Sequence, residues 1–250
     1  LGNHDFDYSF DNLLSLADRA EYAMLSANTY WKDGTYPEQF EPYIIKEVDG
    51  VNVAIVGLTD DGSKATTHFS NTQDIEFHDQ WEVGQDVVAK ADAESDVVIL
   101  LSHLHGGNNT VPTKIDGIDM EIGGGNDIFG RPLNIEGTVV VNPGGVGTCV
   151  NQTNLNVKDG QVLGYTFNQI ILSSDVPEVE AVNEIIAGYQ ADLDAQMEEV
   201  IGQCASDIAW SSPLVRTQES PLGNLAADAL RDYCDADIAI QNGGGIRAGL

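Results

Sequence analysis

The chain contains several short apolar runs, and each of them ends in a polar or glycine-rich loop. Residues 97–101 are wholly apolar and are followed by Ser102 and His103, and residues 138–141 lead into a run of glycines. Short, wholly apolar runs are typical of strands buried inside a sheet. The pattern predicts an α/β fold in which reactive side chains lie where the strands end.

Helical spacing and turn signals predict the remaining elements of the first part of the chain. We expect a hairpin that turns at Asp49-Gly50 and whose second strand ends in the polar residues 59–61. The other predicted elements are a helix over 8–19, a strand over 22–27, a helix over 86–93 and a strand over 120–122.

The first seven residues place an amide, an imidazole and two carboxylates close together. The Asn3 side chain offers an oxygen suited to a divalent metal. His4 and Asp7 are three apart, so they can meet across one helical turn as an acid with its orienting partner. The alternative is a helix start at which Asn3 or Asp5 caps the following segment and His4 has no chemical role.

The motif Gly2-Asn3-His4-Asp5-Phe6-Asp7 resembles that of the calcineurin-like metallophosphoesterases, specifically their 5'-nucleotidase branch. Further motifs of this family follow in order along the chain. They are Leu101-Ser102-His103-Leu104, Gly117-Ile118-Asp119, Gly123-Gly124-Gly125-Asn126-Asp127, Arg216, Glu219, Gly223-Asn224-Leu225 and Asn242-Gly243-Gly244-Gly245-Ile246-Arg247. The resemblance therefore extends from one end of the chain to the other.

The resemblance implies a partial two-sheet α/β sandwich of the calcineurin-like type over residues 1–176. It further implies a linker helix over 177–200 and the start of an α/β nucleotidase C-terminal domain over 201–250. Apolar residues at three- and four-residue steps support the linker helix, although a core helix would show them too. Within the last segment we expect a helix near Pro221 and a strand over 236–240. A chain that begins within one motif and ends after another is expected to be a fragment.

The resemblance also implies a site with two divalent metal ions, which would be Mn, Zn, Mg or Co. Asn3, His103 and Asp127 would be metal ligands, while His4, oriented by Asp7, would stabilise the transition state or protonate the leaving oxygen. A histidine after a strand can instead be a satisfied core or surface group, and Asp127 can be a solvated turn residue.

One position departs from the family pattern. Gly125 stands where the family has a metal-binding histidine, so one ion would have an open position, filled by water or by His105, or the site would be inactive. His105 is otherwise assigned to the surface or the surroundings of the site. The family's upstream ligands are absent from the sequence, so the displayed piece is expected to be inactive by itself.

Two of the five arginines occupy family motif positions. The resemblance implies that Arg216 and Arg247, together with Asn242, bind the nucleotide substrate, because a guanidinium fork matches anionic oxygens. The alternative is a glycine turn after a strand, with Arg247 in a surface salt bridge.

Charge narrows the choice of ligand. Forty acidic residues oppose eleven basic ones, giving a formal charge of −29. A nucleic-acid polymer is therefore not expected as a partner, whereas a small nucleotide needs only a few local cations. Such an excess of acids indicates adaptation to high salt, the alternatives being an ordinary acidic protein or one with extra cation sites. No apolar run approaches the roughly 18 residues of a membrane-spanning helix.

These features together predict metal-dependent hydrolysis of nucleotide phosphoesters, by a 5'-nucleotidase or a 2',3'-cyclic phosphodiesterase/3'-nucleotidase. The alternatives are a nucleotide-binding pseudoenzyme with a degraded metal site and a relative of the sulfur-oxidation thiosulfohydrolases. The resemblance also implies an extracellular or cell-surface location. Base preference, metal identity and oligomeric state are not encoded in recognisable motifs.

Overall fold

The computed structural model describes residues 1–125, 130–144, 147–197, 200 and 202–247. The chain divides into two compact units, Leu1–Pro177 and Glu178–Leu250. The finer division into domains over 1–176 and 201–250 with a linker over 177–200 stays a prediction.

The first unit alternates strands with short helices. Its helices are α1 (Phe10–Ala17), α2 (Ser63–Thr66), α3 (Phe69–Thr72) and α4 (Gln80–Glu94). Its strands are β1 (Met24–Leu25), β2 (Thr29–Trp31), β3 (Phe40–Glu41), β4 (Tyr43–Val48), β5 (Val51–Thr59), β6 (Ile75–Phe77), β7 (Val97–Leu104), β8 (Met120–Gly125), β9 (Leu133–Ile135), β10 (Thr138–Val141), β11 (Cys149–Lys158) and β12 (Gln161–Ile171). Two 3-10 turns, Asn3–Phe6 and Asn108–Thr113, complete it.

A six-stranded sheet with the order β4-β5-β7-β8-β10-β9 forms the centre of this unit. The four inner strands are parallel, and the two edge strands run antiparallel to their neighbours. The carboxyl ends of β5, β7 and β8 therefore meet at one edge, where Thr59 pairs with His103 and His103 pairs with Gly124. That edge carries the polar strand ends that the sequence singled out.

The two faces of the central sheet are covered differently. Helix α4 buries Val87, Val88 and Ala91 against alternate residues of β5 and β7. On the opposite face, Leu155 and Tyr165 of the β11–β12 hairpin pack against a cluster of Met120, Val139 and Val141. The predicted mixed α/β fold is confirmed, and its described part holds three two-stranded sheets beside the six-stranded one.

A second small core lies beneath the first motif. The buried side chains of Phe6, Phe10, Leu13, Phe40 and Ile75 form one cluster. Phe6 is fully buried and meets Phe77 edge to face, with ring centroids 5.1 Å apart. Because Phe6 faces inward, the polar neighbours on either side of it are directed outward.

Over its described residues, the regular elements of the second unit are all helical. It contains α5 (Glu180–Met197), α6 (Ser212–Thr217), α7 (Pro221–Tyr233) and a 3-10 turn at Gly243–Gly245. The long helix and the helix that begins at Pro221 are confirmed. The strand predicted over 236–240 is wrong, because nothing among residues 202–247 offers a strand for it to pair with, and Ile238 and Ile240 are exposed.

Within the described part of the chain, no helix combines the length and the apolar character needed to cross a bilayer. The same residues contain few ion pairs despite the many acids. Arg231 with Asp228 is the one pair between an arginine or lysine and a carboxylate among the described residues. Most of the negative charge is thus not neutralised by neighbouring basic side chains.

Candidate active site

The first motif forms a single 3-10 turn over Asn3–Phe6. Some of its side chains face the protein interior and others face solvent. Asn3 and Phe6 are buried, whereas His4 and Asp7 are exposed. The turn therefore directs the amide of Asn3 into the protein and the imidazole of His4 towards solvent.

The predicted pairing of His4 with Asp7 exists in the structure. Nδ1 of His4 lies 2.7 Å from Oδ2 of Asp7. An ionised carboxylate only accepts hydrogen bonds, so the N–H of the ring is assigned to Nδ1, which donates a hydrogen bond to Asp7. The contact leaves Nε2 of His4 on the other side of the ring, and a general acid or base paired with an orienting carboxylate has this arrangement.

The end of β7 brings His103 to the same turn. Nε2 of His103 lies 3.2 Å from Oδ1 of Asn3, although the two residues are 100 positions apart in sequence. The approach requires glycine at position 2, because a Cβ there would lie 2.8 Å from Nδ1 of His103. Two of the predicted metal ligands therefore point at one another.

The environment of His103 favours its neutral form. Partial burial of the ring lowers the pKa of His103 below its usual value, and the neighbouring His105 lowers it further. Asp5 and Asp60 partly oppose this shift. A neutral imidazole has the lone pair that metal ligation needs.

Gly125, the position that departs from the family pattern, has a backbone that leaves no room for a side chain. Gly125 has φ +96°, and a Cβ there would overlap the carbonyl oxygen of Leu104. A histidine is therefore incompatible with this backbone. Asp127, the other ligand predicted on this loop, lies outside the described residues. Among those that are described, no three His, Cys, Asp or Glu side chains converge closely enough to hold a metal ion.

Two residues lie next to His103: Asp60, which was not assigned a role from sequence, and His105, which was expected at the open metal position, on the surface or in the surroundings of the site. Asp60 follows β5, donates its amide to the carbonyl of His103 at 3.0 Å, and accepts the amide of His105 at 2.7 Å. His105 meets His103 edge to face, with ring centroids 5.6 Å apart. The sequence pointed to Asp60 only as part of the polar end of a strand. Its hydrogen bonds could not be predicted, because they depend on how β5 and β7 align.

The second unit gathers the three predicted substrate residues around Gly244. Oδ1 of Asn242 accepts the amide of Gly244 at 3.2 Å, and Nε of Arg247 donates to the carbonyl of Gly244 at 2.6 Å. The guanidinium of Arg216 lies beside the same glycine, because a Cβ added at Gly244 would be 3.4 Å from Nη1 of Arg216. Two exposed arginines on one glycine turn suit an anionic ligand.

A strained residue follows the first motif. Ser9 has φ +84° and ψ +153°, a region adopted almost exclusively by glycine, while its Oγ caps α1 by accepting the amide of Asn12 at 3.2 Å. We expect Ser9→Gly to raise the free energy of unfolding by about 1 kcal/mol, because relief of strain exceeds the few tenths lost with the cap. Urea unfolding measures this change.

Ser9→Ala is the matched variant for this prediction. It removes the cap and keeps the strain, so it is expected to destabilise the protein. Equal stabilities of the glycine and alanine variants would show that the backbone of Ser9 is not strained.

Comparison with known proteins agrees with the motifs. The family described as "5'-nucleotidase, C-terminal domain" matches residues 200–250. A 5'-nucleotidase of Vibrio cholerae is 24% identical over 99% of this chain and 54% of its own length. The trifunctional nucleotide phosphoesterase protein YfkN of Bacillus subtilis is 30% identical over 84% of this chain and 15% of its own length.

A solved structure of a similar protein covers the whole chain. The 5'-nucleotidase precursor from Thermus thermophilus superposes with a TM-score of 0.82 at 27% identity, over 100% of this chain and 54% of its own. The chain thus spans about half the length of the 5'-nucleotidases it matches. Its motifs, its fold and these relatives make the chain similar to the 5'-nucleotidases, and its residues 200–250 match the family of their C-terminal domain.

Proposed function

We propose that the protein hydrolyses phosphate esters of nucleotides with two divalent metal ions, as a 5'-nucleotidase or as a 2',3'-cyclic phosphodiesterase/3'-nucleotidase. The observation that carries this proposal is that one turn, Asn3–Phe6, brings a metal donor and an imidazole to the same site. Asn3 on its buried side meets His103, and His4 on its exposed side pairs with Asp7. A pair of metal donors next to an oriented imidazole is what phosphoester hydrolysis needs.

The described donors fit one metal ion in part. The oxygen of Asn3 and the nitrogen of His103 converge at 3.2 Å, and a neutral imidazole with a carbonyl oxygen suits Mn, Zn or Co. Asp127 is proposed as a further ligand, and Gly125 contributes no side chain. When bound, divalent ions at such a site lower the pKa of a water molecule and neutralise charge on the phosphoryl oxygens.

The residues of the chain then supply the proton and the orientation. Hydrolysis forms a bond from a water oxygen to phosphorus and breaks the bond from phosphorus to the ester oxygen. We assign His4 to protonating that ester oxygen from Nε2. Asp7 holds the ring in place through Nδ1. Proton transfer of this kind contributes about 10²–10⁴-fold to a rate.

For the second unit we propose that Arg216, Asn242 and Arg247 bind the nucleotide. Their support is their shared contact with the Gly243–Gly245 turn. Small glycines let backbone amides approach a ligand, and the arginines offer charged donors.

An assay of the full-length protein tests this function. We expect phosphate release from AMP or from 2',3'-cyclic AMP in the presence of Mn²⁺, and loss of that release with excess chelator. Tight AMP binding without turnover under any metal would support a nucleotide-binding pseudoenzyme instead. Neither binding nor turnover would contradict the proposal.

We further propose that the protein is adapted to concentrated salt, on the support of a formal charge of −29. Raising KCl from 0.1 to 1 M shortens the Debye length from about 10 to about 3 Å and so weakens self-repulsion. We expect the melting temperature to rise by roughly 4–8 °C, equivalent to about 2 kcal/mol. Differential scanning calorimetry measures this shift.

NaCl serves as the control for that titration, because screening depends on ionic strength and not on which alkali cation is present. A melting temperature that stays constant or falls as either salt is added would refute salt adaptation.

An extracellular or cell-surface location is a further proposal, supported by the resemblance to the family. The relative from Thermus thermophilus is titled a precursor. Fractionation of cells that express the full-length protein tests it, and recovery in the cytoplasm alone would contradict it.

A further inference from the structure

One loop contacts both the turn that carries His4 and the end of β7 that carries His103. We define the clamp segment as residues 60–71, which follow β5 and include α2. We propose that Asn71 and Thr67 of the clamp segment are positioning residues that hold the turn carrying His4 and Asp7, while Asp60 anchors the segment to the strand end carrying His103. This inference rests on the proposed function, and it names residues that none of the motifs includes.

The first contact point is Asp60. Its amide donates to the carbonyl of His103, and its carboxylate accepts the amide of His105, so Asp60 extends the pairing of β5 with β7 beyond the last strand residues. Its second oxygen accepts the amide of Gly62 at 2.7 Å, which fixes the start of the clamp segment. The segment therefore begins in a fixed relation to His103.

The second contact point is the turn itself. Oγ1 of Thr67 donates to the carbonyl of Asn3 at 3.2 Å. Nδ2 of Asn71 donates to the carbonyl of Asp7 at 2.6 Å. Both bonds join residues 64 positions apart, and together they hold the two ends of the turn.

These bonds matter because they hold the turn from outside at both of its ends. Within the turn, the backbone bonds from Asp5 to Gly2 and from Asp7 to His4 are 3.2 and 3.3 Å long, and the carboxylate of Asp5 accepts the amide of Gly2 at 2.7 Å. The ring of His4 is exposed and is not fixed by packing. Its position therefore follows the backbone of the turn, which Thr67 and Asn71 bind at residues 3 and 7. A displacement of about 1 Å in such a group can cost about 10²-fold in rate.

The experiment compares two substrates for Asn71→Ala in the full-length, metal-loaded protein. The alkoxide that leaves AMP needs a proton from His4, whereas p-nitrophenolate leaves p-nitrophenyl phosphate without one. We expect kcat for AMP to fall by about 10- to 100-fold, with KM little changed. We expect a much smaller fall for p-nitrophenyl phosphate and an unchanged metal content.

Two further variants complete the design. Gln73→Ala, an exposed residue just after the helix that carries Asn71, is the control and is expected to match the wild type. Thr67→Val removes the other bond without changing side-chain volume, and it is expected to show the same substrate dependence at a smaller size. It also decides the question if Asn71→Ala does not fold.

The outcomes separate the two proposals. Equal losses on both substrates, or no loss on AMP for either clamp variant, would overturn the positioning role while leaving the nucleotidase activity established by the wild type. Wild-type protein that turns over neither substrate would overturn the proposed function, and the positioning role with it.

Discussion

Replacing His4 with alanine in the full-length protein is expected to lower kcat for AMP by about 10²–10⁴-fold. The reason is that Nε2 of His4 is assigned to protonating the leaving oxygen, while Asp7, 2.7 Å from Nδ1, holds the ring. Steady-state kinetics at saturating Mn²⁺ measures the loss.

Two controls make the His4 result specific. The metal content of His4→Ala should equal that of the wild type, because Asn3 and His103 are unchanged. Asp7→Asn keeps the size of the side chain but weakens the hold on the ring, so a smaller loss is expected. Full activity of His4→Ala on AMP would show that this imidazole is not the acid.

The second large effect concerns His103. Removal of its imidazole takes away one of the two converging donors, which lie 3.2 Å apart. We expect His103→Ala to bind Mn²⁺ at least roughly 100-fold more weakly, since loss even of groups that only support ligands costs about 10–100-fold. Isothermal titration of the metal-free protein measures the affinity without relying on turnover.

His78→Gln is the matched control for that titration. His78 stacks on Tyr30, with ring centroids 4.2 Å apart, and belongs to none of the motifs. Its replacement should leave metal affinity unchanged. Equal affinities of the wild type and His103→Ala would remove His103 from the metal site.

Local pattern predicted elements as different as the buried strand β7 and the exposed helix α5. The run at 97–101 is wholly apolar, and in the structure it forms the first part of the longer strand β7, Val97–Leu104. The β4–β5 hairpin turns at Asp49-Gly50 as expected. The β11–β12 hairpin was not predicted, although Asp159-Gly160 lies between two alternating segments, because only one face of each strand is partly buried there.

In the candidate site, contacts between residues close in sequence were predicted, whereas contacts that depend on the path of a loop were not. The pairing of His4 with Asp7 spans three residues, so helical spacing alone predicted it. The approach of His103 to Asn3 was implied by the family motifs and not by spacing. The bonds of Asp60, Thr67 and Asn71 depend on where a loop passes, and no sequence periodicity encodes that.

The two-metal mechanism is tested most directly by a Mn²⁺ titration of metal-free full-length protein in molar KCl, with AMP hydrolysis as the signal. We expect no turnover without metal and full turnover once two ions are bound per protein chain. AMP hydrolysis that persists in excess chelator, or no hydrolysis at any Mn²⁺ concentration, would contradict it.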